Sequence, residues 1–311
     1  MIVRKSFQLH TAIRYSWKNI LISIFFAGLA YLSNHFLGKD GFIVPIPVVA
    51  ILGTALAIIL GFKNSSAYER WWEARKIWGG IVNESRTLTR QVLTIVDPKN
   101  IPPGLWADSI QVVRRQLAWI HSLKLQLRSV TDRSSWEKEV AVHLSPAEFE
   151  AIMGRTNKVT TLAMLHGEQI KEMNARDDLD TFSYIQMDDT LTRLTDLQGR
   201  SERIKSTPLP KPYDYYTMAF LNLFIIFFPF AFIRELSALD EAYLIFPITI
   251  LAGWMFYQIY VLGKVLASPF DSMKTDVALD AICRTIEIDL REIIKDKDVP
   301  PELKPVDGVL M

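Results

Sequence analysis

The chain of 311 residues carries 35 Lys and Arg against 34 Asp and Glu, a formal net charge of +1 that gives no electrostatic case for nucleic acid. Half of the residues are hydrophobic, a share that ordinary soluble proteins also reach, so the average excludes little and the distribution must decide. A single cysteine, Cys283, excludes an intramolecular disulfide and a thiolate metal cage; beside Ile282, Ile286 and Leu290 it reads as a small packed residue.

The opening "MIVRKSFQLHTAIRYSWKN" places Arg4, Lys5, Arg14 and Lys18 before the first apolar run, with no clean cleavage site after it. Basic residues beside a span favour the cytoplasmic side, so 1–19 is expected to be a cytoplasmic N-terminal segment. The first apolar window, Ile20 to Leu37, is softened at its far end by Asn34 and His35. The second, Phe42 to Phe62, is uncharged and long enough to cross ~30 Å of hydrocarbon. Pro45 and Pro47 fall in its first turns, where a missing N–H matters least. The link "GKDG" is short, so 20–62 is expected to form a transmembrane hairpin. Past it, "GFKNSSAYERWWEARKIWGG" sets Trp71 and Trp72 among Arg70, Glu73, Arg75 and Lys76, the composition of a helix leaving a bilayer.

Residues 63–214 read as a large cytoplasmic helical domain. In "GLWADSIQVVRRQLAWIHSLKLQLRS" Leu105, Trp106, Ile110, Val113, Leu117, Ile120 and Leu127 recur at near-helical spacing, and Arg114, Arg115, Lys124 and Arg128 are expected mostly on the opposite face. "SPAEFEAIMG" begins with Ser145 as N-cap, Pro146 at the first helical position and Glu148 two residues on, a capping-box start. "MDDTLTRLTDLQGRSERI" is a further amphipathic run. Two more apolar windows follow, Tyr215 to Ile233 and Ala242 to Gly263, joined by "RELSALDE" into a second hairpin, 215–263. Tyr215, Tyr216, Tyr257 and Tyr260 suit an interfacial belt. Residues 264–311 form a cytoplasmic C-terminal helix and tail. Basic residues gather before the first and third windows and after the second and fourth, which puts both termini in the cytoplasm. The expected fold is all-α: a multi-pass protein of the cell membrane with four transmembrane helices in two hairpins.

The residues that carry chemistry do not assemble in the sequence. Histidines 10, 35, 121, 143 and 166 never stand at i, i+3 or i+4, so no helix-borne zinc motif exists, and no metal or other cofactor is implied. The Gly-rich phosphate loop and the nucleophile elbow are missing, and no enzyme is expected. The acidic pairs Asp177, Asp178 with Asp180, and Asp188 with Asp189, read first as solvated helix ends.

The second apolar window is the informative one. On a helix Gly53, Ala57 and Gly61 share one stripe at spacing four, the small-residue pattern that lets membrane helices approach closely. Ala50, Thr54, Ile58 and Phe62 share the next. Such residues can simply face lipid; they also suit a ring of subunits turning one stripe toward a central axis.

The stretch from Phe62 to Arg86 resembles the signature of the bestrophin family, above all its bacterial members, at Phe62, Lys63, Asn64, Tyr68, Arg70, Glu73, Ala74, Arg75, Trp78, Gly79 and Arg86. "STPLPKPYDYY" and "SPFDSMKTDVALDAICRTIEIDL" resemble two further family segments, so the likeness runs from Arg4 to about Leu290. The resemblance implies a homopentameric ion channel with one axial pore in the lipid bilayer. It implies a neck lined by Thr54, Ile58 and Phe62, with Thr54 replacing a larger apolar residue and so widening or wetting that ring. It implies a lower cytoplasmic aperture at Phe182, ahead of Tyr184, Met187 and Asp188. The family's calcium clasp needs an acidic run around Pro269 and Phe270, where this chain offers Asp271 and Asp276, so calcium gating is not expected. Small monovalent ions are the expected cargo, with a lean to cations from Asp177, Asp178 and Asp180 near the aperture and chloride not excluded. The competing readings are a non-conducting scaffold or sensor and a secondary carrier; the window cores lack the ionisable residues a carrier usually holds.

Overall fold

The computed structural model describes residue 1 and residues 9–38, 41–95 and 103–310, with the side chains of 9–12, 15 and 103–105 left aside. Arg4 and Lys5, Lys39 and Asp40 of the first link, and the side chains of His10 and Leu105 therefore lie outside the described residues. Among the described residues ten α-helices follow in order: α1 Leu9–Leu37, α2 Ile46–Thr94, α3 Pro103–Leu127, α4 Arg133–Glu139, α5 Pro146–Met153, α6 Lys158–Ala175, α7 Thr181–Ser206, α8 Lys211–Ala238, α9 Ile245–Leu266 and α10 Leu279–Ile293. Short 3₁₀ turns stand at Ala141–His143 and Ala242–Leu244, and among the described residues the only β-pairing is the isolated bridge between Val306 and Val309.

The chain divides into two compact units. The first, an apolar unit of Arg4–Arg70 and Pro208–Ser268, holds α1, the first half of α2, α8 and α9. Stretches within all four helices are long and apolar enough to cross a membrane: Ser16–Leu37, Ile46–Thr94, Lys211–Ala238 and Ala242–Leu266. The first and third windows sit inside longer helices, while the second and fourth begin a few residues ahead of α2 and α9; a helix does not stop where the apolar run stops, and α2 continues for 49 residues without a break. Its core gathers Ala27, Ala30, Leu56, Leu60, Leu221 and Ile225. Helices α1, α8 and α9 pack on one another. Gly253 permits a close approach of α9 to α1, since a Cβ there would stand 2.7 Å from the Ser23 hydroxyl. Tyr215 and Tyr216 are exposed as a belt residue should be, but Tyr260 is buried. The reason is a polar partner inside the unit, described below.

The second, a polar unit, is formed by Trp71–Thr207 and Pro269–Met311 with Met1–Val3. It is built around α3, whose residues from Val112 to Leu125 are buried almost without interruption. The face of α3 expected opposite the apolar one is accordingly solvated only in part: Arg114 is exposed, whereas Arg115 and Lys124 are buried. A buried cation needs a partner, and each has one from a different helix. Arg115 pairs with Glu148 of α5 at 2.5 Å and also donates to Leu165 O and Gln169; Lys124 pairs with Glu139 of α4 and, at 2.8 Å, with Asp280 of α10. The capping box is as expected: the Ser145 hydroxyl accepts from Glu148 N and the Glu148 carboxylate accepts from Ser145 N. That carboxylate also takes Arg115, so one glutamate caps α5 and neutralises a cation of α3. Cys283 is buried on α10, 3.8 Å from Ile120 O, and burial pushes its thiol up to about 12.

Candidate functional site

In the apolar unit the residues of α2 divide by face. Leu56, Leu60 and Lys63 turn inward, while Thr54, Ile58 and Phe62 lie uncovered, Ile58 and Phe62 at 55% and 67% exposure. Spacing four on a helix predicts this sharing of one side. The stripe of small residues behaves less uniformly. Gly53 faces the Phe224 ring of α8, where a Cβ would stand at 3.0 Å; Ala57 is exposed, and Gly61 opens onto free space. Beside them α2 and the rings of Phe224, Phe228, Phe232 and Phe256 border an open apolar groove of about 640 Å³. The Thr54 hydroxyl donates to Ala50 O at 2.9 Å, a bond back to the preceding turn of its own helix.

In the polar unit Phe182 stands at the start of α7 with 85% of its surface exposed. Asp180 is the N-cap: its carboxylate accepts from Phe182 N and Ser183 N at 2.8 and 3.1 Å, and the Ser183 hydroxyl donates to it as well. These bonds, the Ser183 hydroxyl's first, hold the Asp180 carboxyl below its ordinary value. Asp178 is paired with Arg176, which reaches Asp108 too, and Asp177 is exposed in a left-handed turn at φ 59°. The three acids expected as selectivity charges stand in the turn that leads into α7, one as its cap, one paired and one open.

Near Phe270 the two remaining acids serve local structure. Asp271 pairs with Lys205 at 2.6 Å; Asp276 is buried, accepts from Met273 N at 3.1 Å, and burial raises its carboxyl. Among the signature residues of α2, Glu73 pairs with Arg200 of α7 and Arg86 with Asp289 of α10; the neighbouring Trp71 donates to Thr275 O at 3.0 Å. They hold the polar half of α2 in its unit.

Sequence reasoning missed one cluster. His121 of α3 and His143 of the 3₁₀ turn stack at 5.5 Å between centroids, with Glu139 and Glu287 at 3.4 and 4.0 Å from the His121 ring nitrogens. They border a cavity of about 290 Å³ shared with Lys124, Asp280 and Arg284. Burial, then the neighbouring His121, hold His143 down to about 3; burial alone would raise Glu139, but His121 and Lys124 keep it at about 2. No spacing signal joins these residues, which come from four separate elements.

The sequence profile of bacterial and fungal bestrophin proteins matches residues 3–292. A voltage-dependent anion channel-forming protein of Escherichia coli, YneE, is 30% identical over 257 residues, covering 82% of this chain and 79% of that one. A protein of the same description from Ralstonia nicotianae is 28% identical over 253 residues, covering 81% and 78%. A crystal structure of a bacterial bestrophin homolog from Klebsiella pneumoniae superposes with a TM-score of 0.82 at 26% identity, covering 91% of this chain and 99% of its own.

Proposed function

The chain belongs to the bacterial and fungal bestrophin family, and from that premise we propose that it is an ion channel in which five copies surround a pore lined by the second apolar helix. The observation that carries this reading is the uncovered stripe of Thr54, Ile58 and Phe62 on a helix whose opposite face is buried. A stripe of that kind leaves a lone protomer with apolar surface that needs either lipid or copies of itself to cover it. Repeated around an axis it forms a neck that narrows the path and limits conduction by excluding water. Phe182 forms a second, lower aperture, and the surfaces 63–214 and 264–311 and both termini lie in the cytoplasm.

The permeant ions are small and monovalent, with a lean to cations. The relatives' descriptions name anions. The neck residues carry no charge, and in the turn that leads to Phe182, Arg176 is shared by Asp178 and Asp108 while Asp177 and Asp180 add two further carboxylates, which leaves a surplus of negative charge there. Opening needs no calcium, because Asp271 and Asp276 are engaged with Lys205 and Met273 N.

The test is the reversal potential of the purified protein in planar bilayers under a salt gradient. Discrete current steps with a shift toward the cation equilibrium potential support the proposal, and a shift toward the anion's overturns the lean. Saturable flux without steps would make the protein a carrier. A monomeric or dimeric mass in mild detergent would remove the pentamer, and currents that vanish on chelation would remove calcium independence.

A further inference from the structure

The first charge on α2 follows directly after Phe62, and it points the other way. Lys63 is 3% exposed, although Phe62 beside it is among the most exposed residues of the helix. Burying an ammonium in an apolar unit costs several kcal/mol unless its charge is met. Lys63 Nζ pairs with Asp214 Oδ1 at the start of α8 and lies 3.9 Å from the centroid of the Tyr260 ring of α9. The Tyr260 hydroxyl in turn donates to Asp214 Oδ2 at 2.9 Å. One cation is thus held by a carboxylate and by an aromatic face, and the carboxylate is held by that same aromatic's hydroxyl.

Further bonds act at the same level. Asn64 Nδ2 donates to Ile259 O at 3.1 Å, and a Cβ added at Gly263 would collide with the Asn64 side chain. The Tyr213 hydroxyl donates to Ile59 O at 3.2 Å. Residues 59, 63 and 64 of α2 are therefore each fixed to α8 or α9 by a directional contact. Above them α2 meets the bundle through apolar side chains and the open groove beside Phe224. Apolar contact is not directional and tolerates a few degrees of rotation, whereas an ion pair with a shared hydroxyl does not.

We propose that Lys63, Asp214 and Tyr260 form a positioning lock that sets the rotation of α2 and so the direction in which Phe62 points. The lock rests on the reading of α2 as the pore helix and deepens it: Lys63 governs the neck without facing it. A turn of α2 by one residue's worth would replace Phe62 on the axis by a neighbour, since successive residues stand about 100° apart.

The experiment is a mutant cycle on the full-length protein in planar bilayers. Lys63→Met keeps the stem and removes the charge; Tyr260→Phe removes only the hydroxyl and carries the test if the first variant does not assemble. Each is measured alone and with Phe62→Ala. Phe62→Ala alone raises conductance. In the native background each lock variant shifts conductance, and with Phe62→Ala the shift disappears, giving a coupling of about twofold or more. Equal shifts in both backgrounds would show a charge acting through space and would overturn the lock, as would no shift in either. If Phe62→Ala leaves conductance unchanged, the neck reading falls and the lock falls with it.

Discussion

The polar unit and the apolar unit treat their large side chains in opposite ways. In the first, Trp78, Trp119, Ile120 and Leu123 are almost wholly enclosed, and the charged residues that share the interior are paired across helices. In the second, Phe25, Ile51, Leu251 and Tyr215 stand open, and the inward charge of Lys63 is met at one level partway along α2. The comparison teaches that burial inside a chain measures the solvent the chain expects. Exposed apolar surface on this scale is costly in water and is not costly against lipid or against a like surface. The polar unit must close its core itself; the apolar unit leaves that to its surroundings.

The sharpest way to break the contrast is to truncate matching side chains on both sides. Trp119 is 1% exposed, and Trp119→Ala is expected to cost about 3–5 kcal/mol through the cavity it leaves. Ile51, 70% exposed, should cost less than about 0.5 kcal/mol as Ile51→Ala. Chemical denaturation of the full chain measures both, and equal losses would erase the distinction.

Acid should find the polar unit next. Burial holds His143 and His166 at about 3 in the folded chain, below the ordinary 6.5. Between those values the unfolded chain binds more protons, so stability falls as pH falls through that window. Glu139, held at about 2, adds a loss of the same sign below 4.5. The unfolding midpoint should therefore drop between about pH 7 and pH 5, and His166→Leu should flatten the curve. A midpoint independent of pH in that range would mean the imidazoles are reached by water.

A smaller effect belongs to the cap of α5. Ser145→Ala removes an acceptor from Glu148 N and should cost about 1 kcal/mol by the same denaturation, with conductance unchanged. The smallest effect on stability is expected at Phe182. Phe182→Ala should leave it within about 0.5 kcal/mol and the oligomer mass intact, yet raise single-channel conductance. Unchanged conductance in an intact oligomer would place Phe182 off the pore, and dissociation would show it to hold subunits together.

What the sequence made legible follows the same division. The four spans could be read because lipid demands long runs without charge, and the stripe of Thr54, Ile58 and Phe62 because a helix repeats by simple spacing. The capping box of α5 could be read because all its partners lie within four residues. The burial of Arg115 and Lys124 was not legible because their carboxylates lie on other helices, and a cation looks solvated until its distant partner is known. Tyr260 looked like a belt residue for the same reason: Asp214, its partner, lies 46 positions away. The stacked His121 and His143 had no signal at all.

The bond from the Thr54 hydroxyl to Ala50 O has a consequence for how this residue meets its surroundings. A threonine carries a methyl and a hydroxyl on one carbon, and the backbone bond decides which of the two is turned outward. While the bond holds, its proton is spent within the helix and the oxygen can only accept from its surroundings. A swing about the Cα–Cβ bond gives up one hydrogen bond, worth about 0.5–1.5 kcal/mol net, and offers that proton to water instead. A single torsion thus decides whether Thr54 offers its surroundings an acceptor alone or a donor as well, and Thr54→Val would remove both.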